Sequence, residues 1–157
     1  MLLDDEAPVQ LLLGAVMCGT SRIVEAVVDS GAVHSVTPPA LFPGKISSSP
    51  WSRAGRSYRA ANGTGIKNLG QVSVGFGTSE GHRCKIPFQV ANVEQPLLSV
   101  AHLTTAGNRV ELLAHEGRIV NIAAGREIML EKRGAVYLLK MHVDGEGTPL
   151  PFPRQGA

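Results

Sequence analysis

Apolar residues fall on every second position in three stretches of this chain: Val72, Val74 and Phe76; Ile86, Phe88 and Val90; and Tyr137, Leu139, Met141 and Val143. Successive side chains of a strand point to opposite faces, so this period marks half-buried β-strands rather than helices. The 157 residues include 18 glycines and 10 prolines, a density of turn formers that suits many short strands better than a helical bundle. A chain of this length makes one domain with its own core, and a hydrophobic content of 43% excludes a disordered or fibrous protein.

The pattern divides the chain into a solvated leader over residues 1–8, a domain over 9–144 and a Pro/Gly-rich tail over 145–157. Within the domain, residues 9–18 and 22–28 read as two strands joined by Gly19-Thr20-Ser21. Residues 38–50, with Pro38, Pro39, Pro43, Gly44 and Pro50, read as a loop with at most one helical turn. Asn62-Gly63 between extended segments is a strong hairpin signal, over residues 58–66. A second hairpin turns at Gly77 to Gly81. Ser99 to Ala106 reads as a short helix with Ser99 as its N-cap and Gly107 as its stop. Two further hairpins turn at His115-Glu116-Gly117 and at Lys132-Arg133-Gly134. The expectation is an all-β domain with one short helix.

Net charge is +2 and aromatic residues make up 4%. Charge-driven binding to nucleic acid or a membrane surface is therefore not expected, nor is a stacking platform for single strands. No apolar run reaches the roughly 20 residues that span a bilayer. The apolar segment Leu11 to Cys18 follows Asp4, Asp5 and Glu6, where a secretory signal carries positive charge, so it reads as a buried strand and the protein as intracellular. Cys18 and Cys84 are too few for a disulfide framework and lack metal spacing. His34, His82, His102, His115 and His142 are scattered. No metal and no cofactor are expected.

The segment that carries chemistry is Asp29-Ser30-Gly31-Ala32. An apolar run, Ala26-Val27-Val28, leads directly into Asp29. A carboxylate there is costly to bury unless it is hydrogen-bonded or shared. Ser30 offers a hydroxyl, and Gly31 a backbone amide that can approach the carboxylate without a Cβ in the way. Asp, Ser and Gly are also ordinary turn formers, so a structural turn is the plain alternative.

Asp29-Ser30-Gly31-Ala32 resembles the Asp-Thr/Ser-Gly-Ala/Ser motif of aspartic proteases. The chain as a whole is similar to the retropepsin-like proteases of retroviruses and retrotransposons, over roughly residues 9–107. Four features agree in order: the apolar strand into the Asp29 motif; a flap-like hairpin at Ala60, Ala61, Asn62, Gly63 and Thr64; the strand pair 71–77 and 84–91; and Leu97-Leu98-Ser99 before a short helix. In the family, the last of these forms a ψ-shaped crossing beside the catalytic loop. The resemblance implies a closed-barrel-like all-β fold, here with extra C-terminal hairpins over 109–143. Where many retroviral enzymes carry an acid and an arginine, this chain has Val33, His34 and Val100; where they carry glycine after the two apolar residues, it has Ser99.

The activity implied is that of an aspartic endopeptidase, with retroelement polyprotein processing as the implied role. One Asp-Ser-Gly per chain is half a site, so a homodimer is implied, with two Asp29 carboxylates sharing one proton around a water. The implied partner besides the second copy is an extended peptide or polyprotein, gripped by strand addition under the flap. The rival reading keeps the fold without catalysis, as a peptide-binding or assembly module. Gly77-Thr78-Ser79-Glu80-Gly81 also matches the Gly-x-Ser-x-Gly nucleophile elbow, which requires a strand before it and a helix after it; a strand is expected after it here. Arg53, Arg56 and Arg59 read as a solvated stretch, with contact to acidic substrate residues as the sharper alternative.

Overall fold

A computed structural model describes residues 2–4 and 21–144. Among these the chain is mostly β, with twelve strands and two short helices: β1 (Leu2–Asp4), β2 (Ser21–Asp29), β3 (Val36–Thr37), α1 (Pro50–Arg53), β4 (Ser57–Arg59), β5 (Gly65–Lys67), β6 (Gly70–Gly77), β7 (Arg83–Val90), β8 (Leu97–Ser99), α2 (Val100–Thr105), β9 (Asn108–Leu112), β10 (Glu116–Asn121), β11 (Arg126–Arg133) and β12 (Val136–Asp144). Ten strands form one large mixed sheet in the order β1-β7-β3-β8-β2-β12-β11-β10-β9, with β6 pairing β7 and touching β12. The hairpin β4-β5 stands apart from it.

The alternation seen in the sequence becomes the core. Val72, Val74 and Phe76 of β6 and Ile86, Phe88 and Val90 of β7 are buried, in an antiparallel register that sets Val72 opposite Phe88 and Val74 opposite Ile86. Val24, Ala26 and Val28 supply the buried face of β2, and Leu139, Met141 and Val143 that of β12. Phe42 stacks on Phe88 at 5.4 Å between ring centroids.

Several expectations are corrected. Leu2–Asp4 is an edge strand, pairing antiparallel with Arg83–Lys85, rather than solvated leader; it covers backbone groups of β7 that β3, pairing only at Gln89 and Val90, leaves open. The expected strand 9–18 and the tail 145–157 lie outside the described residues. The edge of β2 facing β12 is taken by that strand from Ser21 to Val27, so a C-terminal strand supports the strand that ends in Asp29. There are two short helices rather than one: Pro50 occupies the first turn of α1, where its missing N–H costs nothing, and Ser49 and Ser52 form a reciprocal capping box. The hairpin placed at His115-Glu116-Gly117 turns earlier, because Glu116 and Gly117 already pair within β10. A further turn joins β10 to β11 at residues 122–125, closed by Ala124 N–H donating to Asn121 Oδ1 at 2.9 Å.

Candidate active site

Asp29 is the last residue of β2. Beyond it, residues 30–35 form a loop into β3. The Gly31 amide donates to Asp29 Oδ1 at 2.8 Å. A Cβ on Gly31 would stand 3.4 Å from that same oxygen, an ordinary van der Waals distance, and its φ is not left-handed, so within one chain neither space nor backbone angle requires glycine here, contrary to expectation. Ser30 is exposed and its hydroxyl makes no hydrogen bond among the described residues; within one chain the Gly31 amide, not the Ser30 hydroxyl, holds the carboxylate.

Leu97-Leu98-Ser99 is the strand that meets this loop. β8 lies between β2 and β3. It runs parallel to β2, with Leu97, Leu98 and Ser99 opposite Val27, Val28 and Asp29, and antiparallel to β3, with Leu97 opposite Val36. The chain therefore leaves β2, loops out and returns on the far side of β8. Leu98 is fully buried and anchors it. Ser99, also fully buried, explains why a serine occupies this place: its hydroxyl donates to Ala32 O at 2.7 Å and accepts from His102 N–H at 3.1 Å, while its own amide donates to Ser35 Oγ at 3.0 Å. One side chain caps α2 and fixes the loop that carries Asp29.

The expected flap is the hairpin β4-β5, with Tyr58 opposite Ile66. Its tip, Ala60 to Thr64, is closed by Ala60 N–H to Thr64 O at 2.8 Å, Gly63 N–H to Ala60 O at 2.9 Å and Thr64 N–H to Asn62 Oδ1 at 2.9 Å. Gly63 takes φ +87, the left-handed conformation that the Asn-Gly pair signalled. Ala61, Asn62, Gly63 and Thr64 are exposed.

The base of the hairpin meets the Asp29 loop through residues that no local pattern marks. Tyr58 Oη lies 2.9 Å from His34 Nδ1. Trp51 of α1 stacks with Tyr58 at 5.0 Å between centroids and meets His34 edge-on at 4.6 Å, with the Arg56 guanidinium 4.1 Å over the indole. Arg56 thus sits in a cation–π contact rather than on a merely solvated stretch. Behind Tyr58 is the buried Asn68. Burial above all, then the positive potential of His102 and of Arg56, holds His34 below its ordinary 6.5. Burial raises Tyr58 above 10.0, against the pull of its Asn68 hydrogen bond.

Elsewhere, residues 77–81 are a hairpin turn, with Thr78 N–H donating to His82 O at 2.9 Å. Strand β7 follows, where a nucleophile elbow needs a helix. Ser79 Oγ does approach His142 Nε2 at 3.3 Å, on an exposed turn, but the neighbouring Glu80 carboxylate is committed to the Met129 amide at 2.9 Å. Among the described residues no three His, Cys, Asp or Glu side chains are placed to hold a metal ion, and no helix is long and apolar enough to cross a membrane. A scan against known protein families finds no match, and no curated protein matches the chain.

Proposed function

We propose that the protein is a retropepsin-like aspartic endopeptidase acting as a homodimer. The observation that carries this reading is the register of β8 between β2 and β3, which sets Ser99 opposite Asp29 and ties it to Ala32. A turn that merely ended a strand would not require a buried second strand on the far side of its own loop. The hairpin β4-β5, fastened to that loop through Tyr58 and His34, supports its reading as a flap. The pairings also favour a barrel-like closure: followed in turn, β2, β12, β6, β7, β3 and β8 lead back to β2, with the β12–β6 and β3–β8 steps each a single pair, His142–Gly77 and Val36–Leu97.

In this reading two chains related by a twofold axis bring their Asp29 carboxylates together. Two carboxylates at hydrogen-bond distance do not both ionise, so they share one proton and titrate as a unit. The charged member takes a proton from a water as it attacks the scissile carbonyl; the protonated member donates to the carbonyl oxygen, and a proton then passes to the departing amine. The substrate is an extended peptide pairing with flap backbone, and polyprotein processing is the role such a protease suits. Cleavage of a peptide library from pH ~4 to ~7, by wild type beside Asp29→Asn, tests the reading across the range of a shared-proton pair. Cleavage by wild type and none by the variant is expected. Equal cleavage by both reduces Asp29 to a structural turn, and cleavage by neither, at concentrations where the chain is dimeric, leaves a peptide-binding module.

A further inference from the structure

The polarity of the hydrogen bonds behind the hairpin follows from one buried amide. Asn68 is 1% exposed. The Gly70 backbone N–H, which can only donate, lies 2.9 Å from its Oδ1, so that atom is the amide oxygen; Ser49 Oγ donates to the same oxygen at 3.1 Å. The two amide hydrogens then go to Tyr58 Oη and to Gln89 Oε1, each at 2.9 Å. All four positions of Asn68 are used. Tyr58 Oη accepts from Asn68, and the acceptor nearest its own proton among the described residues is His34 Nδ1, at 2.9 Å. When Tyr58 donates, His34 Nδ1 is bare, and the ring is then neutral with its hydrogen on Nε2.

We propose that neutral His34 is a positioning residue that latches the base of the hairpin to the Asp29 loop, and that a proton on Nδ1 releases the latch. With Nδ1 protonated, the imidazolium and Asn68 both point donors at Tyr58 Oη, the tyrosine proton has to turn away to solvent, and a cation is left where burial and the charges of His102 and Arg56 disfavour it, so the ring gains by leaving the contact. The groups facing His34 work against its charging: Tyr58 from β4, Arg56 from the turn before it, and His102 from α2. Trp51 and Tyr58 form the aromatic wall on which the ring rests. This inference rests on the flap reading of the hairpin, but its test needs no peptide cleavage.

Trp51 is the only tryptophan in the chain, and an imidazolium in edge contact quenches indole emission, so fluorescence reports on this ring. Wild type is expected to lose emission on acidification with a midpoint below 6.5, in keeping with the lowered His34. Tyr58→Phe, which removes the donor that favours the neutral ring, moves the midpoint up. His34→Gln, whose amide oxygen still accepts from Tyr58, abolishes the titration. The protection of the Ala60 and Thr64 amides, measured against the intrinsic exchange rate at each pH, falls roughly fivefold below the wild-type midpoint, the equivalent of one net hydrogen bond, and does not fall in His34→Gln. A titration that survives in His34→Gln, or hairpin protection that does not change with pH in wild type, overturns the latch. Neither result bears on whether Asp29 cleaves peptides, so the latch and the protease reading fail separately.

Discussion

Replacing Ser99 by alanine tests whether one hydroxyl joins the Asp29 loop to the helix that follows β8. The side chain is fully buried and makes two hydrogen bonds that the variant loses: it accepts from His102 N–H and donates to Ala32 O. Losing the N-cap costs about 1 kcal/mol. The Ala32 carbonyl loses its donor as well, and because Ala32 is only half-buried, water replaces part of that bond; about 1 kcal/mol is expected for it. The sum, about 2 kcal/mol, corresponds to a fall in Tm of about 4–8 °C for a chain of this length. Urea denaturation should show a lower midpoint at unchanged slope, which marks lost stability rather than a changed unfolded state. A loss below about 0.5 kcal/mol, the range of an ordinary surface substitution, would refute the idea that this hydroxyl fastens the crossing.

Three further outcomes follow from the same geometry. Gly70→Ala places a Cβ 2.4 Å from Ser47 O at φ +134, so the variant should lose more than about 1 kcal/mol, read by urea midpoint; wild-type stability would contradict this. The Cys84 thiol is buried and, chiefly for that reason, pushed up to about 12, so in a Cys18→Ser chain at pH 8 it should resist a thiol reagent until urea unfolds the protein, and prompt labelling would show the core to be open. His34, His102 and His142 are each held below 6.5, first by burial. The unfolded chain therefore binds more protons between those lowered values and 6.5, and stability should fall as pH drops through that window and level off below it. A urea midpoint that is the same at pH 7.5 and 5.5 would contradict this.

The hairpins β6-β7 and β11-β12 were legible because alternation and turn formers agree there: Val72, Val74 and Phe76 face the core, and Gly134 turns at φ +63, although Lys132 and Arg133, expected in that turn, still pair with Tyr137 and Val136. The turn between β10 and β11 had a quieter signal, an Asn121 side chain closing the turn and Gly125 at φ +69, with no Asn-Gly pair to mark it. α1 announced itself only by Ser49-Pro50, in a stretch where proline and serine read as loop. The partner of β2 was beyond local pattern: residues 136–144 alternate as any half-buried strand does, and nothing in that alternation says which edge they will take. The catalytic-loop candidate was visible because its residues are contiguous, and the crossing at Leu97-Leu98-Ser99 only through a family resemblance. His34, Trp51, Tyr58 and Asn68 come together from four separate segments. A lone histidine and a lone tryptophan carry no such information until the chain has folded.

The central claim, that Asp29 works as half of a two-chain site, is tested most directly by mixing. Wild type and Asp29→Asn chains are unfolded, combined in varying ratio at fixed total concentration, refolded together, and assayed on a peptide that wild type cleaves. If each active site needs one carboxylate from each chain, activity falls as the square of the wild-type fraction, because every mixed dimer is dead. Activity falling in simple proportion to that fraction, or persisting in pure Asp29→Asn, would contradict the account.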